Sequence, residues 1–318
     1  ISLKGAAIDD LTFKEYNVSL DNNEKIKLLS PRNSTNGYLI ESGFVSTDKN
    51  IDIPNSDTIW SLVGNNKLTN QSPIKLSWTN NQGITFEKEI SLDDKYLFTI
   101  KQSVLNSTDN EYDFYSYGQI IRNKIPEISN FYILHEGLIA TLDDELIEED
   151  YDDIQEKKFS RISQKGWLGI GDKYWITSLI PPREKEFKTT FDYKKKFRVN
   201  FIATEPLELN GKSKIEEELQ IIVAAKRVDI IDGYAESLSI DKFDLVIDWG
   251  FLYFITKPLF FGIDYFFNLL GIYGLAIIAI TICIRLAFFP LANFSFRSMA
   301  KMKALQPEMV RLKELHKD

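Results

Sequence analysis

One permanently charged side chain, that of Arg285, lies inside the most apolar part of the sequence. Arg285 is the only charged residue from Ile272 to Ala292, and its guanidinium stays charged because arginine is not deprotonated in proteins. Such a charge at the centre of a membrane helix costs about 2.5–3.5 kcal/mol. Asp264 cannot neutralise it, since the two residues would lie roughly 30 Å apart along a helix. The guanidinium therefore needs a water-filled cavity, a carboxylate from another segment, or an acidic group on a substrate.

The surroundings of Arg285 allow two explanations of its charge. In the first, the long side chain reaches the lipid headgroups, near the basic tail that begins at Arg297. In the second, it faces a wet groove, made more polar by the hydroxyl of Thr281 one turn earlier on the same face. The Thr281 hydroxyl can equally bond its own helix backbone. The sequence leaves both explanations open.

The remaining candidates for chemistry are weaker. His135 is the one histidine before residue 316, so no nearby histidine pair is available for zinc or for acid–base catalysis. The acidic run from Asp143 to Asp153 lacks the spaced ligands and central glycine of a calcium loop, which favours a solvated charged face. No glycine-rich nucleotide loop is present. We therefore expect no enzymatic activity, no bound metal and no cofactor.

Charge is distributed unevenly along the chain. Residues 1–248 carry 30 Lys and Arg against 42 Asp and Glu, whereas residues 295–318 carry six basic residues and three acidic ones. The acidic part argues against nucleic acid as a direct partner. Because Lys and Arg are enriched at the cytoplasmic ends of membrane helices, we expect the tail in the cytoplasm and the acidic part outside.

The apolar part between them predicts a single membrane crossing. About 20 residues span a hydrocarbon core of roughly 30 Å, which is the length of residues 272–292. The preceding residues 249–270 are rich in aromatic side chains and include Lys257, Pro258 and Asp264, as is typical of the membrane surface. A hairpin of two crossings is the alternative, but it would return the basic tail to the outside. We expect one crossing, with the aromatic segment lying along the outer surface.

The first two hundred residues predict strands and turns. Apolar and polar residues alternate from Phe187 to Tyr193 and from Phe197 to Ala203, which is the period of a half-buried strand. Clusters such as Asn210-Gly211 suit the tight turns between strands. Many short strands with this spacing indicate a β-sandwich or barrel. From Lys226 to Leu238 the period changes to three and four, which predicts an amphipathic helix on one edge of the sheet domain.

The basic tail again has helical spacing. Met299, Met302 and Leu305 begin an apolar stripe with steps of three and four residues, which Pro307 interrupts. One interpretation is half of a coiled-coil hairpin. Another, compatible with the first, is a flexible methionine-bearing surface that docks partners. Since the chain starts at Ile1 and stops within this stripe, we expect a piece of a longer protein.

Five stretches of the sequence carry a family resemblance. Residues 243–250 (FDLVIDWG), 271–292 (GIYGLAIIAITICIRLAFFPLA) and 298–307 (SMAKMKALQP) follow one another around the apolar part. Residues 1–10 (ISLKGAAIDD) and 166–182 (GWLGIGDKYWITSLIPP) lie in the acidic part. The first three are similar to the junction, second membrane helix and first cytoplasmic loop of the YidC/Oxa/Alb family of membrane insertases, and the other two look like its periplasmic domain. The spacing from Arg285 to Pro290 is the most specific part.

The resemblance implies an activity and a site. A family member inserts and folds integral proteins of the bacterial inner membrane without a nucleotide or a covalent intermediate. Arg285 and Thr281 would line a hydrophilic groove open to the cytoplasm and to lipid, where Arg285 would attract acidic segments of substrates. Lys301, Lys303 and Arg311 would contact cytoplasmic partners.

The resemblance also implies a mainly β fold followed by helices. We expect a periplasmic β-supersandwich, mutarotase-like and with short helices, at residues 1–241. A junction and amphipathic interfacial helix would follow at 242–270, a transmembrane helix at 271–293, and the first arm of a cytoplasmic helical hairpin at 294–318.

The partners expected from the resemblance are nascent membrane-protein substrates, the Sec translocon (SecYEG and SecDF), the ribosome and the signal-recognition pathway at the cytoplasmic loop, and the lipid bilayer. Two other functions remain open. One is a membrane-anchored sugar-binding module that uses Trp60, Trp78, Trp167 or Trp175 as exposed aromatic platforms. The other is a scaffold module of the translocation machinery. A fold by itself does not decide between them.

Overall fold

The chain divides into two compact units. The computed structural model describes residues 1–19, 22–126, 135–250 and 252–315. The first unit is Ile1–Asp248 and the second is Trp249–Asp318. The strands all lie in the first unit and the two long helices in the second, so the expected mainly β class is confirmed.

The first unit is built from antiparallel strands. They are β1 (Leu11–Ser19), β2 (Asn22–Leu29), β3 (Tyr38–Val45), β4 (Ser61–Val63), β5 (Ile74–Thr79), β6 (Ile84–Leu92), β7 (Leu97–Asn106), β8 (Tyr112–Arg122), β9 (Gly137–Leu142), β10 (Glu145–Asp150), β11 (Phe159–Ser163), β12 (Gly166–Gly171), β13 (Trp175–Ile180), β14 (Phe187–Tyr193), β15 (Phe197–Ala203), β16 (Leu207–Leu209) and β17 (Lys214–Ala225). Two short helices accompany them, α1 (Tyr151–Glu156) and α2 (Val228–Ser237), with a 3-10 turn at Phe243–Val246.

Two of the sheets pack face to face as a sandwich. The larger has the order β10-β9-β12-β13-β17-β7-β6-β5-β4, and the smaller has the order β11-β14-β15-β8-β16, with β3 also paired to β8. Apolar residues from both inner faces, among them Phe86, Leu168 and Phe201, belong to one continuous core. β1 and β2 form a separate two-stranded sheet.

The alternating segments form the strands that their period predicts. β14 and β15 pair in antiparallel register, with Phe187 opposite Ala203 and Tyr193 opposite Phe197. Every second side chain of β15 is buried. The tight connection between the two strands places Lys195 at a φ of +64°. The alternation of apolar and polar residues therefore predicted these strands correctly, because one face of each strand is buried.

Helix α2 forms where the period changes, but its expected position at a sheet edge is wrong. Ile230, Ile231 and Tyr234 of α2 are buried in a second cluster with Trp167 and Ile222, which lie on the larger sheet. Trp167 and Ile222 point to one face of the sheet, and their chain neighbours Leu168 and Ile221 point to the other face, in the main core. Helix α2 therefore covers the outer face of the sheet. The unbroken apolar run at the end of β17 is consistent with a strand that is buried on both faces.

The second unit consists of two helices. They are α3 (Tyr253–Leu270), which contains Pro258, and α4 (Tyr273–Leu315), which contains Pro290 and Pro307. Of the helices in the described ranges, one region, Tyr273–Pro307, is long and apolar enough to cross a membrane. α4 thus continues without a break from the predicted crossing into the basic tail.

Candidate functional site

Helix α4 begins after a sharp reversal of the chain and packs against α3. Gly271, between the helices, has a φ of +72°, which glycine adopts without steric cost. The rings of Phe267 and Tyr273 stack across the turn with centroids 4.0 Å apart. Further along, a methyl group built on Gly262 would lie 2.8 Å from Ile280 Cδ1. Because this contact is more than two helical turns from Gly271, α3 folds back along α4 instead of leaving it at a right angle.

The contact with α3 determines which side of α4 remains open within this unit. One residue advances about 100° around an α-helix, so Arg285 lies about 140° from Ile280 and about 40° from Thr281. Arg285 and Thr281 are both exposed. Arg285 therefore faces away from α3, with Thr281 beside it.

Arg285 has no counter-ion in the described part of the chain. No residue there forms a hydrogen bond or an ion pair with its guanidinium. The residue is about 18 Å along the helix from Tyr273, and about 18 Å from the next cation, Arg297.

The hydroxyl of Thr281 is already bonded within its own helix. Its Oγ1 donates to the carbonyl oxygen of Ile277 at 2.7 Å, which is the backbone bond that a helical threonine commonly forms. The oxygen retains lone pairs and can still accept a hydrogen bond. Thr281 can therefore add acceptor capacity beside Arg285, but its proton is used by the helix.

The basic residues of the tail separate into two sides of α4. Lys303 follows Arg285 by five whole turns and shares its side of the helix. Lys301 lies with Arg297 on another side. The side chains of Lys301 and Lys303 are exposed. The backbone of Arg311 belongs to α4, but its side chain is outside the described residues.

The weaker candidates of the first unit are engaged in local contacts. His135 Nδ1 lies 3.3 Å from Asp150 Oδ1, and its backbone N–H donates to Asp248 Oδ2 at 3.2 Å. In the acidic run, Asp143 and Asp144 form the turn between β9 and β10, with φ of +49° and +67°. The described residues include no group of three His, Cys, Asp or Glu side chains placed to hold a metal ion.

Two of the four tryptophans proposed as sugar platforms are in the wrong place for that role. Trp60 and Trp167 are 4% and 0% exposed, so neither offers a face to a ligand. Trp167 packs edge-on against Phe243 beneath α2, at 5.2 Å between ring centroids. Trp78 and Trp175 are half-buried, and the ring of Trp175 stacks on Phe13 at 4.7 Å. The expectation of exposed aromatic platforms is therefore wrong for the buried pair.

The sequence analysis missed a buried polar group at Lys88. This lysine is 3% exposed, and its Nζ donates to the carbonyl oxygen of Ser42 at 2.5 Å. Desolvation by burial lowers the pKa of Lys88 to about 8, partly opposed by the charge of Glu41. Glu41 in turn accepts hydrogen bonds from Arg32 and from Gln119. A signal was available, since Lys88 shares its strand face with Ile84, Phe86 and Ile90, which are buried.

A second buried pair joins the two sheets. Arg122 Nη1 of β8 lies 2.6 Å from Asp172 Oδ1, just after β12. The same nitrogen donates to the hydroxyl of Tyr151 at 3.1 Å, and the guanidinium carbon lies 4.5 Å from the ring centroid of Tyr38. Burial raises the pKa of both tyrosines above its usual value, so their hydroxyls stay neutral and available for bonding.

Comparison with known proteins assigns both units. Residues 1–261 match the family described as the YidC periplasmic domain, and residues 265–318 match the family described as 60Kd inner membrane protein. The chain belongs to the YidC family. The expected inner-membrane location, with the β domain in the periplasm, is thereby confirmed.

The relatives are longer proteins. The chain is 73% identical over 318 residues to the membrane protein insertase YidC of Pelagibacter ubique (strain HTCC1062), covering 100% of this chain and 57% of that protein. It is 40% identical over 326 residues to the membrane protein insertase YidC of Rickettsia rickettsii (strain Iowa), covering 100% of this chain and 58% of that protein. The name shared by these YidC relatives describes a non-enzymatic role.

Among solved structures, a galactose mutarotase-like protein from Lactobacillus casei ATCC 334 is similar to the chain. The identity is 11% and the TM-score is 0.49, and the match covers 70% of this chain and 95% of that one. The galactose mutarotase related enzyme from Lactobacillus acidophilus matches with a TM-score of 0.40 at 10% identity, over 53% of this chain and 72% of that one. These likenesses do not bear on what the YidC domain binds.

Proposed function

We propose that this chain supplies the periplasmic domain and one wall of the substrate groove of a membrane protein insertase. The wall is the side of α4 that carries Arg285 and Thr281. The observation that carries the proposal is the isolation of Arg285, the one charge in the apolar segment 272–292, which faces away from α3 and has no counter-ion among the described residues. The names of the close relatives support the same activity.

The direction in which helical side chains lean favours a groove over contact with the headgroups. Cα–Cβ bonds tilt toward the helix N-terminus. In α4 this direction runs away from the basic tail, so the Arg285 side chain leans toward the bilayer centre. Headgroups on the tail side would lie about 10 Å away, against that lean. In a groove, water and acidic client segments would solvate and pair with the Arg285 guanidinium without moving it to the headgroups.

The proposed mechanism needs no chemical step. A polar groove shortens the apolar distance that a hydrophilic client segment must cross, and the fixed positive charge of Arg285 gives an acidic segment a transient counter-ion. Burial of the client's own apolar helix in lipid then drives insertion. Lys303, on the same side of α4 and exposed, would attract the same segments at the cytoplasmic mouth of the groove.

The remaining parts follow from this assignment. We propose an interfacial role for the segment 242–270, a crossing at 271–293, and a cytoplasmic tail from residue 294 that is the first arm of a helical hairpin. The first compact unit extends to Asp248, so residues 242–248 would form the periplasmic end of this junction. The tail, including Lys303 and Arg311, would meet the ribosome and the signal-recognition pathway, and the β domain would act as a scaffold toward the Sec translocon (SecYEG and SecDF).

The decisive experiment is a charge series at Arg285 in the full-length protein. Insertion of a client with an acidic translocated segment is measured for Arg285→Ala, Arg285→Glu and Arg285→Lys. We expect a large loss with Glu, a smaller loss with Ala and at least partial activity with Lys, because the position of the positive charge is what matters. A client whose translocated segment is neutral serves as the matched control. Equal insertion by all variants would overturn the proposal and favour a side chain held at the headgroups.

A further inference from the structure

Two basic residues just beyond the apolar part of α4 share one side of the helix. Arg297 and Lys301 are four residues apart, a spacing that places their Cβ atoms about 5–6 Å from each other. Both side chains are exposed, and no described residue forms an ion pair with either. The sequence from Tyr265 to Pro307 contains no Asp or Glu. This stretch of helix therefore offers the pair no counter-ion.

Counted from the proposed crossing, Arg297 would lie at the depth of lipid phosphates and Lys301 just outside that depth. A crossing that begins at Ile272 leaves the hydrocarbon core after about 20 residues, which places Arg297 about 7 Å and Lys301 about 13 Å beyond its edge. Helical side chains lean toward the N-terminus, here back toward the bilayer, so the Lys301 ammonium approaches the level of Arg297. Phe294 and Phe296, just before the pair, are 74% and 67% exposed, so the helix is still apolar where it reaches Arg297.

We propose that Arg297 and Lys301 form a binding site for the phosphate of an anionic phospholipid headgroup. The guanidinium can present two parallel donors to phosphate oxygens, while the ammonium on its flexible stem supplies a second charge. The site is separate from the groove, since Arg297 and Lys301 lie about 120° and 160° from Arg285 around the helix. It would hold the cytoplasmic end of α4 at a fixed depth.

The test compares lipid preference in variants of the full-length protein reconstituted in vesicles. Spin-labelled phosphatidylglycerol and spin-labelled phosphatidylcholine report, by the fraction of motionally restricted label, how strongly each lipid associates with the protein. We expect the preference for phosphatidylglycerol to fall by roughly fivefold for each charge removed, in Arg297→Gln, in Lys301→Gln and in the double variant. Lys303→Gln is the matched control, because it removes the same charge from the other side of the helix, where only diffuse attraction to the anionic surface acts, and it should lower the preference clearly less than Arg297→Gln or Lys301→Gln does.

Each other result would overturn the proposal. An unchanged preference in the double variant would show that the pair is not a lipid site. An equal loss in Lys303→Gln would show diffuse attraction by the tail instead of a site. Loss of the preference on addition of inorganic phosphate would make the free anion the ligand, and loss of ribosome binding with lipid association intact would assign the pair to a protein partner. Circular dichroism of every variant confirms that α4 still forms.

Discussion

Lys88 on the larger sheet donates a hydrogen bond to the backbone carbonyl of Ser42 on the smaller sheet and so joins the two layers through the core. The carbonyl belongs to β3 and the lysine to β6. The ammonium also lies 5.2 Å from the ring centroid of Trp60. A charge that links two sheets in this way must be desolvated, which is why its pKa falls to about 8.

The depressed pKa predicts that the stability of the β domain rises at alkaline pH. Between pH 8 and about 10.4, the ordinary value for lysine, the unfolded chain binds a proton at Lys88 that the folded domain has released. Stability increases with pH wherever the unfolded state holds more protons. Below pH 8 the buried charge of Lys88 lowers the free energy of unfolding by its full amount. As the pH rises from 8 to about 10.4, the free energy of unfolding increases by about 3 kcal/mol in total.

Urea unfolding of residues 1–248 as a function of pH measures this effect. We expect Lys88→Met to flatten the rise between pH 8 and 10.4, because methionine fills similar volume without a charge. Lys188→Met, at an exposed position of β14, should keep the slope of the parent domain. An identical slope in the Lys88→Met domain would rule out titration of this lysine as the cause.

The pair Arg122 and Asp172 should respond very differently to single and to double substitution. Asp172→Leu leaves the buried guanidinium without its partner, which should lower the free energy of unfolding by about 3–5 kcal/mol. Arg122→Met with Asp172→Leu removes both charges, and such replacements are often neutral or stabilising. We therefore expect the double variant to recover most of the loss.

A double-mutant cycle by chemical denaturation checks the coupling of that pair. The exposed pair Arg227 and Asp229, 2.7 Å apart, is the control, since surface pairs contribute about 0–1 kcal/mol. Additive effects at Arg122 and Asp172 would mean that the two side chains are not coupled in solution.

Local periodicity predicted the strands, whereas the burial of individual polar residues depends on packing between segments that are distant in sequence. Phe187–Tyr193 was predictable because a strand with one buried face shows that face in every second residue. Lys88 occupies an inward position of the same kind, yet a lysine in an alternating strand is ordinarily read as belonging to the solvent face. The partners that make its burial tolerable, Ser42 and Glu41, are more than 40 residues away, and no local pattern indicates them.

The site was predictable in its residues but not in its geometry. A lone arginine in an apolar stretch marks Arg285 by composition alone. The side of α4 that it occupies depends on where α3 packs, through Gly262 and Ile280, and helical spacing cannot specify a contact between two helices. Trp60 and Trp167 show the same limit, because burial of a tryptophan depends on segments distant in sequence.

The close approach of α3 and α4 should depend on the absence of a side chain at residue 262. Since even a methyl there would lie 2.8 Å from Ile280 Cδ1, a leucine has no room unless the helices separate. We expect Gly262→Leu to increase the distance between spin labels on Asn268 and Leu275 by several ångströms, measured by pulsed electron resonance in a background of Cys283→Ser. Separation of the helices would also change which side of α4 is covered by α3. Because Arg285 lies on the uncovered side, insertion should fall as well.

Gly274→Leu is the matched control for that experiment. It makes the same change in the same pair of helices, but no atom lies within 4 Å of a methyl built at residue 274. The label distance and the insertion activity should therefore stay close to those of the parent protein. If Gly274→Leu moved the labels as far as Gly262→Leu does, loss of glycine flexibility would be the cause. Glycine is less favourable than alanine in a helix by about 0.8–1.0 kcal/mol, and leucine ranks next to alanine. Helix formation itself should therefore improve in both variants, and a distance change confined to the Gly262→Leu variant would reflect the contact with Ile280.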